Sequence, residues 1–155
     1  MSNGAEFELR AHRCRVMASS MPFTVLLADD HEEVREAVRD LLAEEFDVLG
    51  SVSQGAALVQ AASKLRPDVV VTDLCIPVVD GIEAARQILE GGWCQTIVVL
   101  TAFDEPALLE KALQIGARGY VSKVDAGEEL ITAIHTSLNG QRYVSSRLAA
   151  RMRKK

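Results

Sequence analysis

Five polar residues, Asp29, Asp30, Asp73, Thr101 and Lys123, each stand at the end of a short apolar run rich in β-branched side chains. If such runs form parallel strands, the groups at their carboxyl ends share one rim, however far apart they are in the chain. Taken singly, each has an ordinary role: an Asp after a strand caps a helix, a Thr turns the chain, a Lys points at water. Together the three carboxylates change the electrostatics. Unit charges ~5 Å apart repel by about 3 kcal/mol at an effective dielectric of 20, and three such groups ask for a cation among them. An all-oxygen donor set selects a hard divalent ion, and a few carboxylates with retained waters suit Mg2+, which also coordinates phosphate oxygens. That combination points to phosphoryl transfer, where a protein supplies a nucleophile, neutralisation of the phosphoryl oxygens and a hydroxyl donor. Asp73 fits the first role, Mg2+ with Lys123 the second, and Thr101 the third.

The surrounding pattern must bring these groups together. Phe23 to Ala28 reads as a buried strand that stops at Asp29-Asp30. From Glu32 to Glu45, Val34, Ala37, Val38, Leu41 and Leu42 fall at helical spacing. Phe46 to Val52 is a second strand, and Ser53 is placed to cap a second helix (Ala57, Leu58, Ala61, Leu65) that Pro67 ends. Val69 to Val71 is a third strand running into Asp73. Asp80 and Glu83 have the capping spacing for a third helix, broken by Gly91-Gly92, and Thr96 to Leu100 is a fourth strand. Asp104 with Pro106 opens a fourth helix that stops at Gly116. Gly119 to Ser122 is a fifth strand. Asp125 and Glu128 repeat the capping pattern before a fifth helix closed by Asn139-Gly140. Five repeats of strand then helix predict an α/β fold: a five-stranded, doubly wound parallel sheet covered on both faces.

Composition sets outer bounds. At 155 residues, 48% apolar and 25% charged, the chain holds one core, and no run of ~18 apolar residues crosses a bilayer. Its start lacks the compact apolar stretch of a secretory signal, so the expected location is cytoplasmic. Cys14, Cys75 and Cys94 match neither a zinc site nor a disulfide framework and read as reduced thiols. The net charge of −5 hides an asymmetry: residues 21–140 carry 20 acids against 8 bases, whereas residues 141–155 carry six bases and no acid. An acidic body repels nucleic-acid phosphates, so only the basic tail, read as a solvated helix or linker, could touch DNA. Residues 1–20 read as a disordered leader.

Four motifs then match a family in order. Asp29-Asp30, the run Asp73-Leu74-Cys75-Ile76-Pro77-Val78-Val79-Asp80-Gly81, Thr101-Ala102 and Tyr120-Val121-Ser122-Lys123 resemble the receiver domain of two-component response regulators. The resemblance covers residues 22–140, with the domain taken as 21–140, and it carries over the flavodoxin-like strand order 2-1-3-4-5, which receivers are known to share. It implies that Asp73 accepts a phosphoryl group from a phosphohistidine on a sensor histidine kinase or phosphotransfer protein. It further implies that Asp30, Asp73 and the Cys75 carbonyl bind Mg2+, assisted by Asp29, that Thr101 and Lys123 contact phosphoryl oxygens, and that Tyr120 is an aromatic switch turning into the core on activation. The surface of the fourth helix, fifth strand and fifth helix would then change, altering homodimerisation or contact with an output domain. Such a domain is self-phosphorylating and self-dephosphorylating, and otherwise not an enzyme.

Two departures and several alternatives remain in view. Ile76 stands where Met is frequent, a volume-conserving change, and Val124 stands where many receivers have a Pro, so no cis peptide is expected there and the aim of Lys123 is open. That missing Pro, and the ending Gly140-Gln141-Arg142-Tyr143-Val144-Ser145, resemble the LuxR/NarL-like subgroup with a helix-turn-helix output, through which DNA would be bound. The basic end, Arg151 to Lys155, reads either as a natural terminus or as the start of a linker to that output. A dehalogenase-type phosphotransferase would need an Asp where Cys75 stands, and a nucleotide or flavin module would need a Gly-rich or Ser/Thr-rich loop where Asp29 to Glu32 stand. A receiver-like docking module without the chemistry is the third alternative. His31, beside Asp30 at the mouth of the site, reads as a solvent-facing residue at the start of the first helix, with a role as a base or in partner recognition as the alternative, and His12 and His135 receive no role.

Overall fold

The period-2 alternation of a strand sends successive side chains to opposite faces, so a strand buried on both faces must be apolar throughout. Three runs in this chain meet that condition: every residue of Val69–Thr72, Ile97–Thr101 and Gly119–Ser122 is buried. In the computed structural model, which describes residues 22–102 and 105–153, they are central strands. The order is β1 (Thr24–Ala28), α1 (Glu32–Ala43), β2 (Asp47–Val52), α2 (Gly55–Leu65), β3 (Val69–Thr72), α3 (Gly81–Gly91), β4 (Ile97–Thr101), α4 (Pro106–Ile115), β5 (Gly119–Ser122), a 3-10 turn (Lys123–Asp125), α5 (Ala126–Leu138), β6 (Tyr143–Val144) and α6 (Ser146–Arg153). All pairings are parallel, in the order β2-β1-β3-β4-β5-β6.

The alternation splits the core in two. Leu26, Val70, Ile97, Val99 and Tyr120 face α2, α3 and α4, where Leu58, Ile88 and Leu109 pack on them. Val25, Leu27, Val69, Val71, Val98, Leu100 and Val121 face the other way, against Leu42 of α1 and Leu130 and Ile134 of α5. The expected doubly wound sheet is therefore present, with the strand order reversing between β1 and β3, which stay parallel, and a crevice opening at their carboxyl ends.

Some local expectations are corrected. The residue that enters α2 is Gln54, with no side-chain cap, rather than Ser53. Asp80 does accept the Glu83 amide at 2.9 Å, but Glu83 turns its own carboxylate to Arg86 and Gln87 instead of back to the cap. Asp125 enters α5 without a capping bond because the preceding 3-10 turn is already held by Ser122, whose Oγ accepts the Val124 amide at 3.4 Å. The leader, residues 1–20, and Asp104 lie outside the described residues.

The larger difference is a sixth strand. A sheet ending at β5 would leave that strand's backbone groups exposed, and the segment read as a basic tail covers them. Tyr143 donates its amide to the Arg118 carbonyl and Ser145 to the Tyr120 carbonyl, both at 2.9 Å. The buried Ser145 Oγ accepts the Ser122 amide at 3.1 Å. Leu148 of α6 enters the core beside α4, while Arg142, Arg147 and Arg151 stay exposed. Glu129 of α5 pins the segment by accepting both the Tyr143 hydroxyl at 2.6 Å and the Ser146 amide at 3.1 Å. A two-residue strand has no period to read, which is why sequence patterning passes over it.

Burial first, then the Glu129 hydrogen bond and charge, push the Tyr143 phenol up to about 12 from its ordinary 10.0. The unfolded chain loses this proton before the folded one does. The contribution of Tyr143 to stability is therefore intact below pH ~10 and is lost as pH rises toward about 12. Alkaline titration of the phenolate absorbance, with Tyr143→Phe as the subtracted reference, should give a midpoint near 12, with unfolding free energy falling across the same window. A midpoint near 10 would mean that the hydroxyl faces water and β6 is not pinned.

Candidate functional site

Strand register brings the carboxylates together. Ala28 pairs with Thr72, so Asp29 and Asp73 are the next residues off two adjacent strands, and the Asp73 amide still donates to the Ala28 carbonyl at 3.0 Å. Both acids are buried, at 1% and 5% exposure. Asp29 is fixed from two sides: its Oδ1 accepts the His31 amide at 2.9 Å, and its carbonyl accepts Nη1 of Arg35 at 2.8 Å. The first bond also starts α1, since it takes an amide that would otherwise lack a partner.

Lys123 follows β5, two strands away from β3, and its long stem reaches back across the β4 end. Its Nζ lies 2.7 Å from Asp29 Oδ2 and 2.9 Å from Asp73 Oδ2, bridging the two acids. Burial lowers the ammonium's proton affinity, but the hydrogen bonds to Asp29 and Asp73 more than offset it, and the net shift is upward. The lysine is held charged. Val124 does not disturb this aim: no described peptide bond is cis, and the Val124 amide serves the 3-10 turn. A Pro at 124 would have no such N–H to give.

Asp30, whose side chain is 35% exposed, completes the group. Ligand atoms of Asp29, Asp30, His31 and Asp73 all lie within 4.8 Å of one another. Three carboxylates facing one ammonium leave an excess of negative charge in a half-dry crevice, which is the condition a hard divalent cation satisfies. The residues present fit Mg2+. Thr101 ends β4, fully buried beside β3, so the register places a hydroxyl on the same rim. Tyr120 is fully buried, its ring already within the core on the α4 side. Cys75 is exposed, and its amide donates to Asp73 Oδ1 at 3.3 Å. Burial and the charges of Asp73, Asp30 and Asp80 push its thiol up, which disfavours a reactive thiolate. His135 sits elsewhere, beside Glu45 and Phe46.

The loop between β3 and α3 carries a constraint that spacing does not reveal. Val78 and Val79 have φ of 52° and 70°, left-handed values unfavourable for β-branched residues. The start of α2 imposes them: the Gly55 amide donates to the Pro77 carbonyl at 3.0 Å and the Ala56 amide to the Val78 carbonyl at 2.8 Å. A Cβ at Gly55 would lie 1.6 Å from the Val79 oxygen, and one at Gly81 would lie 2.0 Å from the Asp73 oxygen. Glycine is therefore needed at both places where a helix start abuts the loop that carries Asp73. The sequence held one hint, since Gly at a helix start is tolerated only for a reason.

Comparison with known proteins identifies the family and the fold. The profile of the response regulator receiver domain matches residues 25–135. The response regulator UvrY of Escherichia coli is 38% identical over 130 residues, which cover 83% of this chain and 60% of UvrY. A LuxR-family two-component response regulator from Aurantimonas, known as a crystal structure, superposes with a TM-score of 0.79 at 33% identity, covering 86% of this chain and 99% of that one. The RcsB response regulator in complex with DNA gives 0.79 at 28% identity, covering 86% and 69%. The chain spans about 60% of the length of the curated relatives it matches.

Two substitutions check the geometry. Replacing Gly55 with Ala forces the Val79 carbonyl aside, and unfolding free energy should fall by about 1–3 kcal/mol, with amide shift changes concentrated at Val78 and Val79. Lys123→Met leaves two buried carboxylates uncompensated and should cost about 3 kcal/mol in urea unfolding with chelator present. A loss below about 0.5 kcal/mol would mark the bridge as an exposed, weak pair.

Proposed function

Because the chain belongs to the response regulator receiver family, and within it to the LuxR/NarL-like subgroup, we propose that Asp73 is its phosphoacceptor. A receiver is a signalling domain, and receivers bind Mg2+ at an acidic pocket such as the one formed here by Asp29, Asp30 and Asp73. The observation that carries the reading is the Lys123 ammonium lying between Asp29 and Asp73 at the ends of adjacent strands.

In the proposed reaction an Asp73 carboxylate oxygen attacks the phosphorus of a phosphohistidine on a sensor histidine kinase or phosphotransfer protein. The P–N bond breaks, its electron pair stays on the imidazole, and an acyl phosphate forms on Asp73. Asp30, Asp73 and the Cys75 carbonyl, with Asp29 in support, would hold Mg2+, which when bound would neutralise charge on the phosphoryl oxygens. Lys123 exchanges its contact with Asp73 for one with a phosphoryl oxygen, keeping its second contact with Asp29. Thr101 donates its hydroxyl to another phosphoryl oxygen. Hydrolysis of the acyl phosphate by water resets the site.

The response passes to the α4-β5-α5 surface, with Tyr120 as the buried member of the switch. Since β6 and α6 lie against β5 and α4, the output is a change in how that segment and a second copy share this face. The receiver unit spans about residues 21–140, and the full protein acts in the cytoplasm on transcription through a DNA-binding output domain. Among the described residues no helix is long and apolar enough to cross a membrane, and a membrane plays no part in this reading.

Incubation with acetyl phosphate and Mg2+ tests it. The expected product is one hydroxylamine-labile phosphate per chain, absent from Asp73→Asn and absent when the metal is chelated. Labelling that persists in Asp73→Asn would move the acceptor elsewhere, and no labelling by any phosphodonor would leave a docking module without the chemistry.

A further inference from the structure

His31 faces into the acidic cluster, not away from it. Its Nδ1 lies 3.0 Å from Asp30 Oδ1 and 3.3 Å from Asp29 Oδ1. The ring is held there by its own backbone, because the His31 amide is bound to Asp29 Oδ1 at 2.9 Å and the residue is the fixed entry to α1. The opposite edge of the ring looks outward, and the side chain is 69% exposed. The carboxylates on the inner side include two that are almost wholly buried, Asp29 at 2% and Asp73 at 6% side-chain exposure.

We propose that His31 is a direct ligand of the divalent ion in this site, through Nδ1, and that it shifts the site's preference from Mg2+ toward first-row ions such as Mn2+. This rests on the reading of the acidic cluster as the receiver's metal pocket. The spacing supports it. Two cis donors on an octahedral ion with bonds of about 2.1 Å lie about 3.0 Å apart, and the Nδ1 to Asp30 Oδ1 separation has that value. In the absence of metal the same spacing suits a hydrogen bond from Nδ1–H to the carboxylate, so coordination requires the ring to carry its proton on Nε2 instead but not to move. A neutral imidazole with its proton on the outward Nε2 presents a lone pair at Nδ1. An imidazole replaces one of the waters that a hard ion keeps, and nitrogen donors favour Mn2+ and later ions over Mg2+.

Electron spin-echo spectroscopy of Mn2+ bound to the full chain reads the coordination directly. The expected result is deep modulation from a directly bound imidazole nitrogen, lost in His31→Gln, while Mn2+ still binds that variant through the carboxylates. Mn2+ affinity should fall roughly ten-fold in His31→Gln, and Mg2+ affinity, measured by competition against Mn2+, should change much less. Mn2+ bound without nitrogen modulation in the unmodified chain would overturn the proposal and leave the metal pocket standing. Failure of Mn2+ and Mg2+ to bind at all would overturn both. Equal losses for the two ions in His31→Gln would reduce His31 to a hydrogen-bonded support of the carboxylates and would also overturn the proposal.

Discussion

A single ammonium group, Nζ of Lys123, stands between two carboxylates that the sheet has taken out of water. Asp29 and Asp73 have no choice of position, because each is the residue after a strand whose backbone is bonded to the other's. Charges so placed repel, and a buried charge without a partner is costly enough to unfold a domain of this size. Much of the rest of the site follows from that constraint. The β5 end must lie where a lysine stem can reach back, the turn after β5 must be tight, and the crevice must stay open on the Asp30 side so that a further cation can enter.

Much of this was legible in the chain and some was not. The strands were, because buried parallel strands are apolar on both faces, and Val69 to Val71 or Ile97 to Leu100 admit little else. The rim residues were legible for the same reason: Asp29, Asp73 and Lys123 are where those runs stop. Cap positions were less so. Ser53 and Gln54 are adjacent and either could start α2, and the choice fell to Gly55, whose amide is drawn to the Pro77 carbonyl. That contact joins residues distant in sequence, so no local pattern announces it. His31 is solvent-facing as expected, with its side chain 69% exposed, but one ring edge also lies against Asp29 and Asp30, a contact visible only when the Asp29 side chain is seen gripping the His31 amide.

The C-terminal segment shows how edge chemistry overrides composition. A basic stretch reads as solvated, and Arg142, Arg147 and Arg151 are indeed in water. Between them Tyr143, Ser145 and Leu148 answer needs of the domain: the free backbone of β5, the Ser122 amide beside Lys123, and a gap next to α4. Tyr120 contributes to this from both sides, its ring in the core and its carbonyl bonded to Ser145. Any motion of β5 that accompanies a change at Lys123 is thereby felt by α6.

The same edge arrangement bears on how copies of this molecule could accumulate. Stacking of sheets edge to edge into an open-ended assembly requires two free borders on every unit. Here one border, β2, is six residues long, but the opposite one has been reduced to the two residues of β6, with α6 beginning almost at once after it. The β6 border therefore offers an incoming strand only two residues of ladder, against six along β2, a poor template for growth from that side.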